Sequence, residues 1–158
     1  MICINPRRLV RWIRAGVLLP FAMLTAAAGA QTIPQPRLPT VGLNAGMHNI
    51  VAEVARTPAE QQAGLMMRTQ MAPHEGMLFV FGDLDTRCFW MRNTLLPLSI
   101  AYIADDGTIV NIEDMKPRSD ASHCSKKPVR YALEMNQGWF AKRGIQAGFR
   151  LSGPPFAR

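Results

Sequence analysis

The sequence predicts an α+β domain: predominantly an antiparallel β-sheet or a small barrel, with one N-terminal helix and a short C-terminal helix. Short apolar runs rich in β-branched and aromatic residues recur between turn signals, as hairpin-linked strands do. A single segment carries strong helix signals. Strands and helices do not alternate along the chain, so a parallel α/β architecture is not expected.

The helix signal begins at Thr57-Pro58-Ala59-Glu60. Threonine is a favourable N-cap, proline suits the first helical position, and the glutamate can complete a capping box. Apolar residues such as Ala63 and Met66 then recur at spacings of three and four, and Arg68 suits the last turn. The pattern predicts a helix from Pro58 to about Thr69.

The strand signals are spread over the rest of the chain. Asp105-Asp106-Gly107 is the strongest hairpin signal, because glycine readily adopts the positive φ that a tight turn needs. A short C-terminal helix is predicted from Gly138 to Arg143, ended by Gly144. Strands are predicted at residues 48–55, 76–81, 88–92, 98–104, 108–112, 129–135 and 149–151.

Composition divides the chain into four parts. Residues 1–30 fit a secretory signal peptide, in which arginines precede an apolar run and an A-x-A cleavage site ends at Ala30. The apolar run is shorter than the ~20 residues of a membrane span, so membrane contact is expected only before cleavage. Residues 31–46 are predicted to be a flexible Pro-rich linker, 47–152 a single globular domain, and 153–158 a tail. The mature protein is expected in the bacterial periplasm or outside the cell.

The net charge of +7 suggests a nucleic-acid partner at first sight, but the charge is unevenly placed. Residues 1–14 contain four arginines and no acidic residue, whereas 14 basic and 11 acidic residues follow residue 30. An imbalance this small is not a nucleic-acid-binding footprint. No nucleic-acid partner is therefore predicted.

Cys88 and Cys124 are the only cysteines after residue 30. In an oxidising compartment such a pair indicates a disulfide, which would contribute on the order of 3–4 kcal/mol. The alternative is a metal site of Asp120, His123 and Cys124 with Cys88. Adjacent histidine and cysteine chelate poorly, so no metal site and no cofactor is predicted.

The best candidate for a ligand site is the segment that holds Trp90, Arg92, Asn93 and Thr94. It places a guanidinium, an amide and a hydroxyl beside an indole at a strand end. Such a group could hold a carboxylate, a phosphate or a sugar, with Arg92 as a bidentate clamp. Arg68 is a weaker addition.

A purely structural explanation of this segment is also open. Asn and Thr side chains often satisfy backbone groups at turns. Arg92 would then pair with Glu134 or Asp114.

Four motifs, in fixed order, resemble the domain of unknown function 192 family: GMLFVF, FWMRNTLLPL, DDGTIV and YALEMNQGWFAKRGIQAG. The resemblance covers about Val51 to Leu151. It implies a compact, mostly β domain that is often exported and has no settled activity. Many members look as if they carry aspartate where this chain has Ser99 and Phe149. Any role of those carboxylates in the family is therefore not expected in this chain.

These observations predict a monomeric, non-enzymatic binding or accessory module for a small polar or anionic ligand or an envelope component. No catalytic residue is predicted, because the GxSxG, SxxK and HExxH motifs are absent. Two alternatives stay open: an envelope hydrolase acting on a polar polymer, and a metal-handling protein.

Overall fold

The computed structural model describes residues 33–156, so the predicted signal peptide at 1–30 lies outside the described residues. Within 33–156 no helix has the length and apolar character that a bilayer crossing requires. One α-helix, α1 (Pro58–Ala63), and one 3₁₀ turn, Ala141–Arg143, are present. The strands are β1 (Thr40–Ala45), β2 (His48–Ala55), β3 (Glu75–Asp85), β4 (Cys88–Phe89), β5 (Leu98–Ile103), β6 (Ile109–Met115), β7 (His123–Cys124) and β8 (Val129–Asn136).

Six strands form one sheet in the order β1-β2-β3-β8-β5-β6, and β4 pairs with β7 in a separate two-stranded ribbon. The sheet is mixed, because the crossover through α1 makes β2 and β3 parallel while the other neighbours are antiparallel. The sheet is not closed into a barrel, and β1 and β6 are its edges. The strand predicted at 149–151 is reduced to isolated bridges, Thr108 to Arg150 and Asn44 to Ser152.

The two faces of the sheet carry separate hydrophobic cores. On β3, Leu78 enters the first core, whereas Met77 and Phe79 enter the second, as the two-residue period of a strand requires. The first core packs against the C-terminal segment through Trp139 and Phe140. The second core includes Leu65, Met91, Leu98, Ile100, Tyr102, Met115, Val129 and Ala132.

The structure differs from the predicted boundaries at both ends of the domain. Strand β1 occupies part of the stretch predicted as a flexible linker (31–46), and its Leu43 and Ala45 are buried. The three prolines before it obscured this alternation. In the predicted tail (153–158), Phe156 is buried, with its ring centroid 5.3 Å from that of Tyr131. Residues 157–158 lie outside the described range.

The helix predicted from Pro58 to about Thr69 is not formed over that length. The capping box is present, and the backbone N–H of Glu60 bonds to the N-cap hydroxyl. The helix nevertheless ends at Ala63, because Gly64 takes a φ of 47° and leaves the helical path. The predicted C-terminal helix is a single 3₁₀ turn.

Candidate functional site

A cavity of about 340 Å³ opens on the face of the sheet that carries the second core. Helix α1 and the turn after it form one wall, and the segment around β4 forms the other. Apolar walls with a few convergent polar groups are typical of small-molecule sites. The lining residues are Gln61, Gln62, Ala63, Gly64, Leu65, Met66, Phe79, Phe81, Thr86, Arg87, Cys88, Phe89, Trp90, Thr94 and Glu134. We call this the Glu134 cavity.

The helical wall lies close to the sheet at Gly64. A Cβ atom at this position would lie 3.4 Å from the ring of Phe79, and the φ of 47° disfavours any residue with a side chain. The turn is held from the opposite wall by the backbone N–H of Met67, which donates to the carbonyl of Asn93 (2.9 Å). Glycine therefore allows α1 to end directly above the cavity.

The second wall is the ribbon of β4 and β7. Two-residue strands are too short to be stable alone, and here a disulfide joins Cys88 to Cys124 directly across the pair. The ribbon is also fixed to the sheet, because the hydroxyl of Tyr102 donates to the carbonyl of His123 (2.6 Å) and Asn111 Nδ2 to that of Cys124 (3.1 Å). The predicted disulfide is thus present and holds a wall of the cavity.

The floor of the cavity is Glu134, in the central strand β8. Its partners in register are Met77 on β3 and Ile100 on β5, both fully buried. The side chain is 5% exposed, and no hydrogen bond or ion pair connects its carboxyl group to another residue within 33–156. Burial raises the pKa of Glu134 to about 8. The group is therefore mainly a neutral carboxylic acid at pH 7.

Tyr102 lies on the same face of the sheet as Glu134. Burial, and then the negative charges of Glu134 and Glu113, raise the pKa of its phenol well above the ordinary value. The phenol therefore stays neutral, and its proton is used in the bond to the ribbon. Tyr102 positions the wall and does not compete for the carboxyl group.

Two arginines stack on aromatic rings of the cavity lining: Arg87, which is itself part of the lining, and Arg92, which lies beside the lining residue Trp90. Arg92 Cζ lies 4.4 Å from the ring centroid of Trp90, and Arg92 Nε donates to Asp120 (2.7 Å). Arg87 Cζ lies 4.2 Å from the ring centroid of Phe81. Both guanidinium groups gain cation–π contacts with rings that line the cavity.

The structure separates the residues predicted from the Trp90–Thr94 segment. Trp90 and Thr94 line the cavity, with Trp90 at the rim and Thr94 buried. Arg92 is exposed at the rim and pairs with Asp120, in place of the suggested Glu134 or Asp114. Asn93 does not line the cavity; its carbonyl accepts the bond from the turn after α1.

Arg68 lies outside the cavity lining. It is buried and forms two hydrogen bonds to Glu53, at 2.6 and 2.8 Å. Burial alone would raise the pKa of Glu53, but the bonds from Arg68, the Leu38 N–H and Arg37 outweigh it, and the pKa is lowered. This cluster joins the N-terminal segment to β2 and is structural.

Sequence reasoning did not find Glu134 as a site residue. It considered this glutamate only as a partner for Arg92. The run VRYALEM gives a weak signal that this glutamate is buried. If both faces of an apolar strand are covered, a glutamate within it is buried whichever face it points to. That it has no partner depends on the whole fold.

The candidate metal ligands do not form a metal site. Within residues 33–156, no group of three or more His, Cys, Asp or Glu side chains is placed to hold a metal ion. The sulfurs of Cys88 and Cys124 are bonded to each other, so neither is a thiolate ligand.

The fold and the cavity define a small mixed-sheet domain with an aromatic pocket built over a buried carboxyl group. The chain belongs to the domain of unknown function 192 family: the DUF192 model (Uncharacterized ACR) matches residues 41–153. This confirms the resemblance seen in the sequence motifs. Comparison with curated proteins finds no match.

Solved structures share this fold. A candidate transcription regulator from Sinorhizobium meliloti 1021 is 40% identical, with a TM-score of 0.71 over 75% of this chain and 97% of that one. A protein of unknown function from Novosphingobium aromaticivorans DSM 12444 is 35% identical, with a TM-score of 0.69 over 79% of this chain and 94% of that one. The family and its structures do not assign an activity to the cavity.

Proposed function

We propose that this chain is an exported, non-enzymatic binding module that holds a small ligand with an apolar body in the Glu134 cavity. The observation that carries the proposal is the carboxyl group buried without a partner at the floor of an aromatic cavity. Burying a polar group without a hydrogen bond costs roughly 1–3 kcal/mol. Such a group, with a strongly shifted pKa in a cleft, is typical of a functional site. A polar atom of the ligand would supply the missing bond.

The residues near the mouth of the cavity would contribute little to binding a charged group of the ligand. Arg92 was the predicted clamp for an anion, but its guanidinium is already engaged by Asp120 and stacked on Trp90. An anionic group of the ligand would therefore be placed at the mouth, in contact with solvent. The apolar part of the ligand would lie against the rings of Phe79 and Phe89, which line the cavity and contact each other edge to face (centroids 4.8 Å apart).

Binding is favoured over the hydrolase alternative by the lining. Glycoside hydrolysis typically uses two carboxyl groups on either side of the scissile bond. Within the described part of the chain, Glu134 is the one carboxyl residue that lines the cavity, and it is accompanied by the hydroxyl residues Thr86 and Thr94. A single buried acid suits recognition better than paired acid–base chemistry.

Export is part of the proposal. Residues 1–30 have the order of features of a signal peptide. The Cys88–Cys124 disulfide supports the same compartment, because disulfides persist in the oxidising periplasm and are rare in the cytosol.

Native mass spectrometry of the full chain expressed in a bacterium and purified from its periplasm tests the proposal. We expect a mature mass beginning at Gln31 and a small-molecule adduct. Thr86→Trp, which fills the mouth from an exposed position, should lose the adduct. The matched control Thr40→Trp, on the edge strand β1, should keep it. An adduct that Thr86→Trp retains at the wild-type level would contradict the proposed site.

A further inference from the structure

We propose that the floor of the Glu134 cavity selects an uncharged carbonyl group of the ligand, whose oxygen accepts a hydrogen bond from the protonated carboxyl group of Glu134. This inference rests on the proposed function and adds the chemical class of the ligand. Three features of the cavity lead to it: the state of its floor, the charge at its rim and the chemistry of its walls.

The floor offers a donor. Glu134 lies between Met77 and Ile100 in the middle of the sheet, where the residue is 5% exposed and no described residue pairs an ionised carboxylate. A protonated carboxyl group has one O–H to donate. The raised pKa, about 8, agrees with this geometry. A ligand carbonyl at the floor would satisfy that donor without bringing charge into the apolar interior.

The rim disfavours a cation. An ammonium ligand would be attracted by an ionised Glu134, but it would share the cavity with the guanidinium group of Arg87, which is part of the lining and repels it. Arg87 and Arg92 also occupy faces of the Phe81 and Trp90 rings, which a cation would otherwise use. Asp83, the acidic partner of Arg87, is exposed and lies outside the lining, as does the exposed pair of Arg92 and Asp120.

The walls disfavour an anion at the floor. A ligand carboxylate there would lose its hydration in the apolar interior, and the single O–H of a protonated Glu134 would compensate only part of that loss. From β5 the neutral phenol of Tyr102 faces this region, with Glu113 acting on it from β6. The helical wall contributes the amides of Gln61 and Gln62 and no ionisable group to the lining, and Arg87 is the charged residue of the opposite wall. An uncharged acceptor is the group that fits.

Three probes of similar size separate the classes: acetophenone as an uncharged carbonyl, benzylamine as a cation and benzoate as an anion. Their dissociation constants are measured on the purified mature protein by chemical-shift changes of backbone amides lining the cavity. We expect acetophenone to bind most tightly. Its affinity should fall about tenfold from pH 7 to pH 9, because the protonated fraction of a group with a pKa of about 8 falls by that factor.

Two substitutions assign the effect to Glu134. Glu134→Gln keeps a donor and should bind acetophenone with no dependence on pH between 7 and 9. Glu134→Leu removes the donor and should weaken binding at least tenfold. The control Glu113→Gln removes a neighbouring charge outside the lining and should behave as wild type.

The outcomes separate the two proposals. Preference for benzylamine or benzoate, or binding of acetophenone that is unaffected by Glu134→Leu, would overturn the inference and leave the binding module intact. If the cavity binds none of the three probes, the inference and the proposed function are overturned together.

Discussion

Two glutamates in the same sheet are similarly buried, but they differ in their hydrogen-bond partners and in the direction in which their pKa is shifted. Glu53 on β2 is 3% exposed and Glu134 on β8 is 5% exposed. Glu53 accepts hydrogen bonds from Arg68, Arg37 and the Leu38 N–H, and its pKa is lowered. Glu134 has no such partner among the described residues, and its pKa is raised.

The difference shows that burial alone does not identify a site. Both glutamates lose hydration on folding, so both would pay a desolvation cost of several kcal/mol if left charged and alone. At Glu53 the fold supplies the compensating groups, and the residue ties the N-terminal segment to the sheet. At Glu134 the compensating group is missing and a cavity stands in its place. The missing partner is what indicates a ligand.

The largest expected effect on stability comes from removing the buried arginine partner of Glu53, which leaves this glutamate, like Glu134, without full compensation. Arg68→Met removes its main partner and should lower the free energy of unfolding by about 3–5 kcal/mol at pH 7, because a buried carboxylate is left uncompensated. Urea unfolding measures this, with the exposed Arg56→Met as the control. The double variant Glu53→Gln with Arg68→Met should recover part of the loss. A loss below about 1 kcal/mol would show that the pair is not the anchor inferred here.

The next largest effect on stability is expected from the Cys88–Cys124 disulfide, which lies on the Glu134 side of the sheet. Replacing Cys88 and Cys124 by serine should lower the free energy of unfolding by roughly 3–4 kcal/mol, since the disulfide closes a separation of 36 residues. Acetophenone binding should weaken as well, because the ribbon carries Phe89 and is followed directly by Trp90, and both line the cavity. Wild type under a reducing agent should reproduce both changes. Unchanged binding would mean that the disulfide does not hold the cavity wall.

The pH dependence of stability should have opposite signs at the two glutamates. Glu134 keeps its proton in the folded state between about pH 4.5 and 8 while the unfolded chain loses it, so stability falls as pH rises through this window. Glu134→Gln should remove that fall and be more stable than wild type at pH 9. Urea unfolding at pH 5, 7 and 9 measures it. A wild-type curve parallel to that of the variant would contradict the raised pKa.

For Glu53 the sign is reversed. Its folded-state pKa is lowered, so its contribution is present above the unfolded value of about 4.5 and is lost as pH falls through the folded value. Glu53→Gln should therefore flatten the acid side of the stability curve. It should leave the alkaline side unchanged.

The smallest effect is expected at the rim. Arg92→Gln breaks an ion pair with Asp120 that is largely exposed, so the free energy of unfolding should change by less than about 1 kcal/mol. Benzylamine binding should strengthen slightly, because one positive charge leaves the mouth. Thermal unfolding and the same chemical-shift titration give both readings. A large loss of stability would place Arg92 in the structural framework and not at a rim.

Local signals predicted the local structure well. Strand β2 has the bounds that its β-branched residues indicate, and the hairpin at Asp105-Asp106-Gly107 joins β5 to β6 with Gly107 at a φ of 89°. The length of α1 was wrong, because Gly64 ends the helix although the apolar spacing continues to Met66 and Met67. The parallel pairing of β2 with β3 was also missed, since a strand signal does not state the direction of its neighbour.

The site was predicted in part. The Trp90–Thr94 segment does reach the cavity, through Trp90 and Thr94, because an aromatic and a hydroxyl residue follow β4 directly. The glutamate at its centre was missed. Glu134 lies on β8, which begins about 40 residues after β4 in the chain. It reaches the cavity only because β8 lies between β3 and β5 in the sheet.

By itself, the sequence determined the family, the mostly β class, the cysteine pair and the capping box, because each depends on residues near one another or on motifs in fixed order. The tertiary structure alone decided which polar residues are compensated. Glu53 and Glu134 both read as a glutamate within an apolar strand, and the difference between them is whether an arginine from a distant turn is near. That proximity is a property of the packed sheet, and it separates a structural anchor from a candidate binding site.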